Sequence, residues 1–463
     1  MDEMLEGVAR PSLLRRLSCA PGMPAPVRRL AERIEGSHLA TRLAEGAFWS
    51  FAGSALSRAF ALAASVVTAR FLGKAQYGEL GVLLSTLLTF QAFASLGLGM
   101  TATKYVSELR TKDPERAGRI LGMSAVLSAA TGVLAAALLW AFAPWLASST
   151  IGAPHLTEPL RIAGLGLVFT TMGGAQTGAL AGFEAFRTQT QLNVWLGLLG
   201  VPIAVVGVWR WGLQGAVWAT VVTAALQWAL THVAVRVHAR RDRVPVSPRG
   251  WWREQRILWT FSLPALAQGV MVGPVSWAAA AILVNQPGGY PEMGAFSAAN
   301  QWYAAVLFLP NALCGPVLPV LSERVGRGDG PGVRAVLRAA VAMNAAAVIP
   351  IVAAGCLASP WLVRIYGPQF ADAWPTFAVV LITAGIVAIT NPVGYVLAAS
   401  ERLWLGFLMN SGWAAAFLVA TVLLVGWGSL GLATGRLLAY ALHFGWTLWF
   451  AMRFVRAGAA RGT

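Results

Sequence analysis

The chain has 463 residues, of which 57% are apolar and only 12% charged, with a mean hydropathy of +0.62. A soluble domain carries about a quarter charged residues, so this composition excludes an ordinary soluble enzyme and points to a helical membrane protein. The formal net charge of +16 would suit a nucleic-acid partner, but its placement along the chain accounts for it as membrane topology instead.

Residues 1–45 hold seven Arg and no apolar run, so they read as a cytosolic basic tail and not a cleavable signal. Apolar spans of about 20 residues follow, the length that crosses the hydrocarbon core. Six fall near 46–69, 78–100, 119–142, 160–181, 189–209 and 212–234. The segment 235–256, with Arg240-Arg241-Asp242-Arg243, Pro245 and Pro248, is a cytosolic linker, and Trp251-Trp252 marks return to the interface. Six more spans fall near 257–284, 293–318, 335–358, 373–398, 403–425 and 429–452, and 453–463 is a second cytosolic tail. The expectation is an all-α polytopic protein of 12 transmembrane helices, with an N-lobe over 46–234 and a C-lobe over 257–452.

Charge orients these spans. With the N-terminus inside, 28 of the 35 Lys and Arg lie on the cytoplasmic side, 5 lie opposite, and Arg58 and Arg436 fall within spans. That bias places both termini in the cytoplasm and explains the basic balance without nucleic acid.

The two halves repeat one another. Ser107-Glu108 and Arg119 return as Ser322-Glu323 and Arg334, an offset of 215. Leu180-Ala181, Glu184 and Asn193 return as Leu397-Ala398, Glu401 and Asn410, an offset of 217, and Gly212-x-x-Gly215 returns as Gly428-x-x-Gly431, an offset of 216. Six spans per half is an even number, so the repeats are parallel, related by an axis along the membrane normal.

Arg58 sits twelve residues into a span starting at 46, about 18 Å along a helix rising ~1.5 Å per residue, near the middle of a core ~30 Å thick. A charge there costs at least ~2.5 kcal/mol and is functional by default. Arg436 is shallower, seven residues into its span. No acid lies near the middle of any span, so an anionic substrate is the expected partner of both, and guanidinium suits phosphate through bidentate hydrogen bonds. The alternative for Arg58 is hydrogen bonding to carbonyls or serines of neighbouring helices. Polar stripes run along three spans: Ser50, Ser54, Ser57 and Ser65; Asn300, Tyr303 and Asn311; and Arg436, Tyr440 and His443. They read as cavity lining or as helix–helix glue. Pro264 and Pro274 are candidate gating positions in span seven, since proline removes a backbone donor and kinks helices. His232 and His443 are candidate proton carriers. No catalytic constellation, metal-ligand spacing or cofactor motif appears, so an enzyme is not expected.

The run Ser57-Arg58, Ala69-Arg70-Phe71-Leu72-Gly73, Tyr77-Gly78 and Gly97-Leu98-Gly99 resembles the start of the polysaccharide (Wzx-type) flippases. Asp113-Pro114-Glu115-Arg116-Ala117 and Gly212-x-x-Gly215 resemble the same family, and the likeness spans residues 44–455. That superfamily also holds lipid II flippases and multidrug and toxin extruders. The resemblance implies a V-shaped pair of lobes opening alternately to each leaflet of the inner membrane. The cargo would be oligosaccharide on polyprenyl pyrophosphate, moved outward for polysaccharide synthesis. It implies a polymerase and glycosyltransferases as partners, and it adds Arg70 to the cavity candidates. Glu79 falls where lipid II flippases carry a functional acid, which makes it a coupling candidate beside the reading of a loop-end carboxylate near Lys74. Drug extruders carry an acid in span one. This span has none, which lowers the alternative of a cation-coupled drug or metabolite exporter and leaves the coupling ion, proton or sodium, open. A non-transporting scaffold of a polysaccharide-synthesis complex is the third reading.

Overall fold

The structure, a computed structural model, describes residues 38–247, 249–263, 265–266, 270–314, 317–327, 329–399 and 403–459. Its described secondary structure is entirely helical. We label the α-helices α1 (His38–Ala94), α2 (Leu98–Leu109), α3 (Pro114–Trp145), α4 (Thr157–Gly182), α5 (Phe186–Arg241), α6 (Val272–Val284), α7 (Gly289–Leu313), α8 (Val317–Gly326), α9 (Gly330–Ile365), α10 (Trp374–Ala399), α11 (Leu403–Leu424) and α12 (Gly428–Ala459). Among the described residues, six helical stretches are long and apolar enough to cross a membrane: Ala55–Ala94, Pro114–Thr150, Phe186–Arg241, Gly330–Ile365, Pro368–Val396 and Leu405–Phe450. Leu357 and Leu423 are each 76% exposed, a surface that suits lipid and not water.

Three of those stretches are hairpins. At ~1.5 Å per residue the 57 residues of α1 and the 56 of α5 would far overrun a bilayer if straight. Gly73 (φ 73, ψ 174) and Gly212 (φ 55, ψ −131) interrupt them in backbone conformations that glycine adopts without strain. Reversal at Gly73 brings the Ser65 hydroxyl within 2.7 Å of the Tyr77 hydroxyl, and reversal at Gly212 stacks Gly215 on the carbonyl of Gly207.

The repeat expected from sequence has a conformational counterpart. Gly428 (φ 61, ψ −135) turns the chain as Gly212 does. A β-carbon on Gly215 would lie 3.1 Å from Trp211 Cβ, and one on Gly431 would lie 3.3 Å from Trp427 Cβ. The caps match too. The Asp113 carboxylate accepts the Arg116 amide at 3.0 Å, and Asp329 accepts the Gly332 amide at 2.8 Å.

Spans two and eight are broken where the sequence reading drew them continuous. The first halts at 95–97, where Leu96 and Gly97 take positive φ (45° and 68°), before α2 resumes. The second halts at Cys314 before α8. Span seven, expected as a single helix over 257–284, is irregular: a π-helical turn, Leu258–Ser262, leads into the helical residues Leu263, Ala265 and Leu266, and the 13-residue α6 follows a turn at 270–271. Pro264 lies outside the described residues, as do the tail 1–37, Glu401, Arg402 and residues 460–463.

Packing differs between the two ends of the bundle. One apolar cluster joins both halves, drawing Ala69, Tyr77 and Leu83 together with Ala281, Ala295, Phe370 and Phe417. Toward the other end the first-half core of Ala102, Val106, Ile120, Leu180 and Ala234 takes in Ile257 at the start of span seven, while Cys314, Val317, Leu321, Val333 and Val396 pack only among the second half. The bundle is closed at what we call the Lys74 end.

Candidate functional site

Arg436 is placed by the start of α12. Glu292 of α7 accepts the Ser429 amide at 2.8 Å, and Thr376 meets the Ser429 hydroxyl at 2.9 Å, which fixes the helix N-terminus. Two turns later Arg436 is only 8% exposed. Its Nη1 donates to Asn300 Oδ1 at 2.9 Å, and its guanidinium lies 4.3 Å from the Tyr303 ring centroid and 5.0 Å from that of Phe296. Phe296, Asn300 and Tyr303 follow helical spacing on one face of α7, and aromatic faces favour a cation above them.

The remaining valences of the cage are all donors. Arg436 Nε and Nη2 are buried with no hydrogen-bond partner among the described residues. Tyr440, one turn on, stacks 5.2 Å from Trp413, and His443 meets Trp446 edge-on at 5.8 Å. The indole nitrogens of Trp413 and Trp446 are buried without partners too. Each such orphan costs about 1–3 kcal/mol, and no acidic group pairs with Arg436 among the described residues. A ligand that only accepts hydrogen bonds and carries negative charge fits this set.

Arg436, Asn300, Tyr303 and Tyr440 therefore assemble, with His443 one turn below. Asn311, on the same stripe, instead accepts from Asn391 at 2.9 Å. Arg58 belongs to a different pair of helices. Its arm of α1 packs along α5, with Gly53 against Thr190 and Phe60 against Gly197. Arg58 is half-buried and makes no hydrogen bond or ion pair among the described residues. Ser54 and Ser50 have side chains outside the described residues, as Pro264 is altogether. Pro274 stands in the first turn of α6, where its missing N–H breaks no intrahelical bond.

Two predicted residues, Arg70 and Glu79, lie instead around the closed end. Arg70 Nε donates to the Ile365 carbonyl at 2.6 Å across the halves. Glu79 meets His155 at 2.9 Å. Lys74, which the sequence reading set beside Glu79, bonds both carboxylate oxygens of Asp372 at 2.8 Å and lies 3.9 Å from Glu292. Gly78 and Gly294 pack backbone to backbone beneath this ion cluster. Tyr290 donates to the Ile151 carbonyl at 2.8 Å and Asn285 to that of Thr150 at 2.7 Å. The sequence reading missed Asp372 and Glu292, and a pairing across 298 residues leaves no local pattern to find.

Apolar helical hairpins packed together across the two halves at one end, around a buried cation, are the architecture of a multi-pass membrane protein. The chain belongs to the family described as "Polysaccharide biosynthesis protein", which it matches over residues 43–325. It is 25% identical over 390 residues to the EPS I polysaccharide export inner membrane protein EpsE of Ralstonia nicotianae, covering 81% of this chain and 86% of that one. The EpsE protein of Ralstonia solanacearum is 24% identical over 391 residues, with the same coverage. Among solved structures, an inward-facing multidrug resistance MATE family transporter superposes with a TM-score of 0.73 at 13% identity, over 88% of this chain and 96% of that one. An outward-facing one gives 0.65 at 14% identity, over 91% and 96%. These likenesses show the fold. The protein is thus a multi-pass membrane protein of a polysaccharide biosynthesis family, and the two relatives are named as polysaccharide export proteins of the inner membrane.

Proposed function

We propose that the protein is an alternating-access flippase that moves oligosaccharide linked to polyprenyl pyrophosphate from the inner to the outer leaflet. The observation that carries this reading is the Arg436 cage, a buried guanidinium whose free valences are all donors and which no carboxylate among the described residues neutralises. A pyrophosphate supplies acceptor oxygens and negative charge together. Arg58, half-buried on the other half and without a hydrogen bond or ion pair among the described residues, is the second cation for the same group.

The cycle follows from the packing. Residues 46–234 and 257–452 act as the two lobes, joined by 235–256. The charge bias assigns the Lys74 end to the extracytoplasmic side and both termini to the cytoplasm. Closed at that end, the described state is inward-open, in line with the higher TM-score to the inward-facing transporter. Cargo enters from the cytoplasmic leaflet, its pyrophosphate meets the arginines, and opening needs Lys74 to leave Asp372 and Glu292. Glu79, held by His155 at this seam, is the candidate group for coupling to proton or sodium. Glycosyltransferases would supply the cargo and a polymerase would consume it.

The test is leaflet-resolved labelling of lipid-linked saccharide in cells, normalised to protein level. Arg436→Ala should insert normally and leave cargo on the inner leaflet. Flipping at the wild-type rate by Arg436→Ala and by Arg58→Ala would remove the phosphate-bearing cargo from this reading.

A further inference from the structure

The first half holds a polar cluster within the membrane that the arginine cage does not use. Phe169, Gly173 and Gln176 lie on one face of α4, and Trp228 and His232 lie one turn apart on the second arm of α5. The Phe169 and Trp228 rings are 5.7 Å apart, and the Trp228 and His232 rings are 5.8 Å apart. Gln176 Nε2 lies 2.9 Å from His232 Nδ1. Between Phe169 and Gln176 there is space: Gly173 is buried, yet a β-carbon built on it meets nothing within 4 Å. Buried interiors are close-packed, so open space beside a buried glycine on the face that carries these side chains leaves room for a group that the described residues do not supply.

Two buried atoms of these side chains lack hydrogen-bond partners among the described residues, Gln176 Oε1 and Trp228 Nε1. They are of opposite kind. The amide oxygen only accepts and the indole N–H only donates. An anion would satisfy the indole and be repelled by the carbonyl oxygen, and a cation would do the reverse. A hydroxyl group donates and accepts, and a sugar ring offers several hydroxyls around an apolar C–H face that an aromatic ring can cover. The cage at Arg436, whose orphans are donors only, has the opposite character.

We infer that Gln176, Trp228 and His232 around the Gly173 void form a subsite for an uncharged glycosyl unit of the cargo. This rests on the flippase reading above and divides the work. The second half holds the pyrophosphate, and the first half recognises sugar. Phe169 and Trp228 supply the apolar faces, Gln176 Oε1 accepts from one hydroxyl, and Trp228 Nε1 donates to another.

The test uses the full-length protein in nanodiscs, exposed to the polyprenyl-lipid pool of its own host and read by native mass spectrometry. Unglycosylated polyprenyl pyrophosphate in that pool is the internal control. Wild type should enrich the glycosylated lipid. Gln176→Leu and Trp228→Phe each remove one hydrogen bond, and Gly173→Leu fills the void. Each should cut that enrichment by about tenfold and leave unglycosylated lipid bound as before, whereas Arg436→Ala should lower both. Gly174→Ala, at an exposed position of the same helix where a β-carbon meets nothing within 4 Å, serves as the control outside the subsite and should bind as wild type. Equal enrichment by wild type and all three site variants overturns the subsite while the cargo stands. Wild type binding no polyprenyl pyrophosphate lipid overturns the flippase reading and the subsite with it. Loss of ion-coupled transport with unchanged lipid binding in Gln176→Leu would reassign the cluster to ion coupling and overturn the sugar subsite.

Discussion

Gly78 and Gly294 face each other across the two halves, so close that a β-carbon on Gly294 would collide with the Lys74 carbonyl and one on Gly78 with that of Tyr290. No other residue type lets two helix backbones approach in this way. The contact is what closes the Lys74 end, and it sets the first prediction. Gly78→Leu or Gly294→Val should hold that end open. In a cysteine-replaced background, Ser297→Cys, which packs against Gly81, should then gain reactivity toward a membrane-impermeant thiol reagent. Unchanged labelling would show that the seam closes by other contacts.

Lys74 bonds Asp372 and approaches Glu292, and its side chain is only 10% exposed while that of Asp372 is 68% exposed. A pair open to water on one side contributes about 0–1 kcal/mol, so Lys74→Met should leave expression nearly normal. It should shift the protein toward the outward-open state. The exchange of Lys74→Asp with Asp372→Lys should bring Ser297→Cys labelling back toward the parent level. If the double exchange labels like Lys74→Met alone, the pair does not set the seam.

Arg436→Lys is the sharper partner of Arg436→Ala. A lysine keeps the charge but cannot fork across two phosphate oxygens or lie flat on Tyr303. Transport should fall by about tenfold or more, the equivalent of losing one charge-assisted hydrogen bond, with insertion unimpaired. Cargo flipping by Arg436→Lys at the parent rate would make the residue a simple counter-charge.

At the mouth of the second half, Asp329 caps α9. The Arg324 guanidinium and the Gly332 amide hold its carboxyl below the ordinary range. The folded pKa is depressed, so the contribution is fully present above the unfolded value of about 4. It is lost as pH falls through the lower folded value. Thermal stability should therefore show no Asp329-dependent change from pH 8 to 5. Asp329→Ala should be less stable than the parent across that range and Asp329→Asn, a competent cap, much closer to it. An Asp329→Ala protein matching the parent at pH 7 would mean the cap carries no stability.

Several parts of this protein were fixed by sequence alone. Its all-helical membrane class follows from composition, because unpaired backbone in hydrocarbon is prohibitive and only helices or closed barrels escape it. The turn glycines Gly212 and Gly428 were legible as a repeat, since a reversal with positive φ restricts residue type at both copies. Asn300, Tyr303, Arg436 and Tyr440 were legible as stripes because helical spacing puts them on one face of each helix. Which stripes meet was a tertiary decision. Arg436 faces α7 while Arg58 lies along α5, and nothing in either helix's own pattern says so. The breaks at Leu96–Gly97 and after Cys314, the Lys74–Asp372 seam, and the void beside Gly173 also arise only when helices far apart in sequence pack. Apolar spans look alike to lipid, and van der Waals fit between particular faces, set by residues such as Gly78 and Gly294, selects their neighbours.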